Sequence, residues 1–136
     1  MTAIVVDTSV IVAILRNEPE KDRFVDAILA ASTRFMSAVS LQEAGMVIAG
    51  RFGDGSAWEP LDALLARLDM EIVAHDAVLA RIAREAFLRF GKGRHAARLN
   101  FADCAAYALA RSNNLPLLFK GEDFGKTDIV AAVSAV

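Results

Sequence analysis

The residues Ile4-Val5-Val6 form an apolar run with no polar member, and Asp7 closes it. β-Branched residues favour extended backbone, and a strand without polar alternation has to be covered on both faces. Such a strand belongs inside a parallel sheet flanked by helices. A carboxylate at its end sits beside a core, where it is costly unless it is hydrogen-bonded, paired or bound to a cation. Asp7 therefore constrains both the architecture and the chemistry.

Further short apolar runs alternate with helical patterns. Asp7-Thr8-Ser9 carries N-cap chemistry ahead of a helix expected over 10–15. Pro19 suits a first helical position, and Phe24, Val25, Ile28 and Leu29 follow at helical spacing. A strand is expected at 34–36. A helix over 37–50 would turn Leu41, Gly45 or Met46, and Ile48 inward. After the loop Gly53-Asp54-Gly55-Ser56, a helix over 57–68 has the stripe Leu61, Leu64, Leu65 and Leu68. A strand at 71–73 precedes an amphipathic helix over 75–90, with Val78, Leu79, Ile82, Ala86 and Phe87 inward. A basic, glycine-broken loop leads to an apolar helix over 101–111, a strand at 115–119 and a last strand at 129–133. This alternation predicts an α/β layer fold with a central parallel sheet. Sites in such sheets form beyond the carboxyl ends of the strands, where Asp7 falls.

The chain's 136 residues fit one domain, 1–136, and a hydrophobic content of 55% is enough for a sizeable core. No apolar stretch approaches the ~20 residues that span a bilayer, and nothing at the N-terminus resembles a signal peptide. The single cysteine, Cys104, suits a reducing compartment, so a cytoplasmic location is expected. A net charge of −2 gives no general attraction to nucleic acid, so any such binding needs a local patch.

Glu43 and Asp103 repeat the situation of Asp7, each acid lying in core-like sequence. Each also has a purely structural explanation. Asp7 can cap a helix, Ser40-Leu41-Gln42-Glu43 has the capping-box pattern, and Asp103 follows Asn100 in a first helical turn. If all three converge, however, repulsion decides. Two unit charges ~4 Å apart repel by about 4 kcal/mol at an effective dielectric of ~20. Such a cluster needs protons or a cation, and carboxylates with water suit Mg²⁺ or Mn²⁺ rather than zinc.

These segments resemble those of the PIN-domain family. Ile4-Val5-Val6-Asp7-Thr8-Ser9 resembles its opening strand and first acid. Ser37-Ala38-Val39-Ser40-Leu41-Gln42-Glu43 resembles its second-acid helix, and Leu99-Asn100-Phe101-Ala102-Asp103 its third-acid segment. Leu117-Leu118-Phe119-Lys120-Gly121-Glu122-Asp123-Phe124 and Thr127-Asp128-Ile129 resemble its closing segment. The likeness covers essentially the whole chain and is nearest to VapC-type toxins.

The resemblance implies a three-layer sandwich and an Mg²⁺-dependent ribonuclease, with Mn²⁺ as an alternative ion. It also implies inhibition by a VapB-type antitoxin and a homodimer, with transfer RNA or another structured RNA as the target. Asp7 and Asp103 would hold the metal, and Glu43 would position or deprotonate the attacking water. Gly121 stands where many members carry a fourth acid, so Glu122 or, preferably, Asp123 takes that place. Lys92, Arg94, His95, Arg98 and Lys120 offer phosphate contacts. Thr8 or Ser9 would donate to a water or phosphate at the site, or cap the helix. Phe52 and Trp58 could stack on bases, and Phe24, Val25 and Ile28 could face a partner, although core burial is the default for them. Two other readings fit less of the chain: a non-catalytic PIN-fold module binding RNA or protein, and a receiver-like signalling domain using Asp7 and Lys120.

Overall fold

The computed structural model describes residues 2–132. Four parallel strands, β1 (Ile4–Val6), β2 (Arg34–Ser37), β3 (Met70–Val73) and β4 (Leu117–Leu118), form one sheet in the order β3-β2-β1-β4. Helices α1 (Thr8–Leu15) and α2 (Lys21–Ala30) link β1 to β2. Helices α3 (Ala38–Phe52) and α4 (Trp58–Arg67) link β2 to β3. Helices α5 (Ala77–Phe90) and α6 (Phe101–Ser112) link β3 to β4.

The alternation of side chains along a strand divides the core in two. Ile4, Val6 and Leu118 face one layer with Val10, Phe24, Ile28, Ile48 and Leu61. Val5 and Leu117 face the other with Leu79, Phe90, Tyr107 and Leu109. The result is the expected α/β sandwich, a sheet with helices on both faces. No helix among the described residues is long and apolar enough to cross a membrane.

Several expectations need correction. The first helix starts at Thr8 rather than at residue 10, because Asp7 caps it directly from the strand end. Pro19 lies in the turn before α2, whose N-cap is Glu20. Phe24 and Ile28 are buried in the first core and Val25 packs against it, so these three do not form a partner surface. On α3 the inward positions are Ser40, Ala44 and Ile48, spaced one turn apart, whereas Met46 is 64% exposed. On α5 the buried stripe is Leu79, Ala86 and Phe90, and Val78 and Phe87 are exposed. Strand β4 has two residues rather than five. The last expected strand is reduced to a parallel bridge between Ala131 and Leu117, and Val133 lies outside the described residues.

Gly91 ends α5 against the backbone carbonyl and ring of Phe87, where an added Cβ would collide with both. The turn that follows is fixed by Lys92 N donating to the Leu99 carbonyl at 2.9 Å and Leu99 N to that of Phe90 at 3.0 Å. Gly91→Ala must displace backbone there. It should lower stability by about 1–3 kcal/mol in a urea titration, the range for overpacking. An unchanged midpoint would mean that the α5–α6 connection yields easily.

Candidate active site

Strand β1 lies between β2 and β4, so the chain's path reverses across the sheet at β1 and leaves a crevice at the carboxyl ends of β1 and β4. Backbone bonds hold its edges together. Asp7 N donates to the Leu118 carbonyl at 3.0 Å. Lys120 N donates to Ser9 Oγ at 2.9 Å, and Ser9 Oγ donates to Asp7 Oδ2 at 2.7 Å. Ser9 N also donates to Asp7 Oδ2, at 3.1 Å. Ser9 thus orients the Asp7 carboxylate and ties it to the end of β4.

Helix α3 is capped by Ser37 at the end of β2, where Val39 N donates to Ser37 Oγ at 3.1 Å. Thr8 Oγ1, buried, donates to the Ser40 carbonyl at 3.0 Å and fastens α3 to the start of α1. Glu43 lies nearly one turn beyond Ser40, inside the helix, so its capping-box reading is excluded. Asp103 does take part in a capping box: Asn100 N donates to its Oδ2 at 3.0 Å, and Asp103 N donates to Asn100 Oδ1 at 2.8 Å. The capping bonds leave acceptor capacity on the carboxylate for a further partner.

The acids converge electrostatically. Burial is the main reason that the Asp103 carboxyl is pushed up to about 6, and the charges of Asp7, Glu43 and Asp123 add to the rise. Asp7 is also raised, first by burial and then by Glu43, against the hydrogen bonds from Ser9 and Thr8. Among the described residues no three of these side chains are drawn together as a ready-made ligand cage. The donor set itself is all carboxylate oxygen, which fits a hard divalent cation. Burial, then the Asp103 charge, pushes the Cys104 thiol up to about 11, so it is poorly suited to act as a thiolate ligand or nucleophile.

With both carboxyls raised, the metal-free folded chain holds protons that the unfolded chain has released. Its stability therefore falls as pH rises from about 4 through about 6. A cation binding there competes with those protons. Mn²⁺ at about 100 times its Kd should stabilise the protein by about 2.7 kcal/mol near pH 7.5. The gain should shrink strongly near pH 5. Equal Tm shifts at both pH values would remove the acids from the binding site.

The basic residues are less uniform than the sequence implies. Lys92, Arg94, His95 and Arg98 are exposed on the loop leading into α6. His95 is part of that loop's framework: its Nδ1 accepts from Ala97 N at 3.0 Å, and its ring meets Phe90 edge-on at 5.2 Å. Lys120 lies at the surface within an ion-pair cluster. Its Nζ pairs with Glu18 at 2.6 Å and Glu20 at 3.0 Å. Thr8 is not a donor into the site, because its hydroxyl serves Ser40. Phe52 lies nine residues past Glu43, about 13 Å along α3. Trp58 packs beside Gly45, with Nε1 donating to its carbonyl at 2.9 Å. Ser9 does more than cap α1 or face the site, and the polar partnership of Asn100 with Asp103 goes beyond the first-turn placement of that acid. An Asn three residues before an Asp was the signal for the second.

Carboxylates near the switch point of a parallel sheet, with neither a thiolate nor a histidine ligand set among the described residues, are the donor chemistry of a metal-dependent hydrolase rather than of a thiol or zinc enzyme. The PIN domain pattern matches residues 4–130, and the chain belongs to the PIN-domain family. Ribonuclease VapC30 of Mycobacterium tuberculosis is 48% identical over 125 residues, covering 92% of this chain and 95% of that protein. The chain is thereby placed among the VapC ribonucleases, a metal-dependent class of nuclease. Two solved structures share the fold. Mycobacterium tuberculosis VapC20, a sarcin–ricin loop cleaving toxin, has a TM-score of 0.75 at 19% identity, covering 93% of this chain and 96% of that one. VapBC2 from Rickettsia felis, bound to a DNA fragment from its promoter, has a TM-score of 0.74 at 15% identity, covering 96% of each chain.

Proposed function

We propose that this chain is the ribonuclease toxin of a VapBC-type toxin–antitoxin pair, acting in the cytoplasm and hydrolysing phosphodiester bonds of a structured RNA. The observation that carries this reading is the buried Asp7 at the switch point, within the electrostatic reach of Glu43 and, through Asp103, of Asp123. Asp7 and Asp103 are the proposed ligands of Mg²⁺, for which Mn²⁺ can substitute. When bound, the cation neutralises charge on the phosphate oxygens and makes water more acidic.

The chain's own residues divide the remaining work. Ser9 holds the Asp7 carboxylate in place through its 2.7 Å bond, and Asn100 holds Asp103. Glu43, half-buried on α3, accepts the proton of the attacking water. Water oxygen bonds to phosphorus as the P–O3′ bond breaks, leaving a 5′-phosphate and a 3′-hydroxyl, with the leaving oxygen protonated from solvent. Asp123 stands in for the fourth acid of the family pattern. Lys92, Arg94 and Arg98 lie on the loop preceding Asp103, where they attract the flanking phosphates.

A VapB-type antitoxin is the proposed inhibitor, and a homodimer the proposed assembly. Purified protein should cleave RNA only with Mg²⁺ or Mn²⁺, and sequencing of the new ends should find 5′-phosphates. Cleavage unaffected by chelation, or 2′,3′-cyclic phosphate ends, would overturn the mechanism.

A further inference from the structure

Phe101 is 78% exposed, more than any other large apolar side chain among the described residues. It is the first residue of α6, two before Asp103. Neither helix formation nor the core explains it there, since aromatic residues gain nothing from a helix N-terminus. Beside it runs an open cleft of about 630 Å³ walled by Val39, Gln42, Glu43, Met46, Asn100 and Phe101. Met46, one turn beyond Gln42 on α3, is 64% exposed. The Gln42 amide makes one weak contact, Nε2 to Met46 Sδ at 3.9 Å, so most of its hydrogen-bonding capacity is unused among the described residues.

We propose that this cleft is a nucleobase subsite. A base beside the scissile phosphate stacks on Phe101, lies against Met46 and presents its edge to Gln42. The proposal rests on the nuclease reading and deepens it. Glu43 belongs both to the acid cluster and to the cleft wall, so the two are continuous. A phosphodiester seated on the acids carries a nucleotide on either side, and one of these bases has to lie within a nucleotide's length of Glu43. An aromatic face supplies sequence-tolerant stacking, and the neighbouring amide supplies discrimination at the base edge. The cleft's size is ordinary for a small-ligand site. A second copy of this chain is the competing occupant. Covering the cleft with protein would seal the Glu43 carboxylate away from water, which is unfavourable without a partner charge. A stacked base leaves that carboxylate facing phosphate and solvent.

The test uses the whole chain with Mn²⁺ and a structured RNA, transfer RNA first, in which the cleaved bond is mapped by sequencing of the new ends. A second RNA carries an abasic nucleotide at the position flanking that bond. Phe101→Ala should lower kcat/KM on the intact RNA by about 10- to 100-fold, and Phe101→Trp should restore most of it. On the abasic RNA, wild type and Phe101→Ala should differ by less than about 3-fold. An equal loss on both RNAs, or no loss on the intact one, overturns the subsite while leaving the nuclease reading intact. A shift from dimer to monomer in Phe101→Ala, measured by sedimentation, assigns the face to a second copy and also overturns it. No cleavage by the wild-type protein overturns both readings.

Discussion

Asp7→Asn should reduce metal-dependent RNA cleavage at least ~10³-fold while leaving the protein folded. A bound cation contributes several kcal/mol of transition-state stabilisation, and about 4 kcal/mol corresponds to that factor. An amide keeps one oxygen but loses the charge and replaces the other oxygen with NH₂, so it cannot replace a carboxylate as a ligand. The fold should survive because Asn is as good an N-cap as Asp, and its oxygen can still accept from Ser9. Relief from burying a charge works in the same direction, so Tm without metal should stay level or rise. Asp103→Asn should lose cleavage similarly. Burial and the neighbouring acids disfavour its charged form, and an amide oxygen can still accept from Asn100 N, so Tm without metal at neutral pH should likewise stay level or rise. The measurements are a gel assay of RNA cleavage and a circular-dichroism melt. An Asn variant retaining more than about a tenth of wild-type activity would remove its residue from the metal site.

The largest stability effect is expected at Arg34. Its guanidinium donates to four carbonyls: Ile28 at 2.6 Å, Leu68 at 3.3 Å, and Leu29 and Ala31 at 3.1 and 3.2 Å. These carbonyls lie at the ends of α2 and α4, where helical hydrogen bonding leaves acceptors unsatisfied. One side chain on β2 therefore anchors two helix ends to the sheet. Arg34→Met keeps the aliphatic stem but leaves the carbonyls to water or to nothing. The group is half-buried, so solvent replaces part of the loss. A destabilisation of about 2–3 kcal/mol is expected, near the upper part of the range for single substitutions. Denaturant titration reads it as a lower midpoint at unchanged slope. A change below about 0.5 kcal/mol would show that water replaces Arg34 fully.

Much of this arrangement was legible in the residues. The unbroken apolarity of Ile4-Val5-Val6 requires cover on two faces, and the structure places β1 between β2 and β4 with Val5 facing one core and Ile4 and Val6 the other. The leucine stripe of α4 was equally readable, because its period and burial agree. The α5 stripe was less so: Val78 and Phe87 have the right chemistry but lie off the narrow line that packs against α6. The two-residue β4 could not be bounded from an apolar run, since strand pairing rather than hydropathy ends it. Among the acids, position relative to strands and caps suggested convergence. Their hydrogen-bond partners, Ser9 and Asn100, are local in sequence, whereas the bonds that tie their segments to the rest of the fold, Ser9 with Lys120 and Thr8 with Ser40, span long separations.

Sequence alone determined the layer class, the central place of β1 and the carboxylate chemistry, because those follow from local patterning and from the cost of a charge beside a core. The tertiary structure decided how the acids' segments are tied to one another and where the basic and apolar side chains around them turn. It turned Lys120 toward Glu18 and Glu20, bound Thr8 to α3, and left Phe101 bare beside Glu43. Those outcomes depend on how helices distant in sequence dock on one sheet edge, and no local pattern encodes the distances between them.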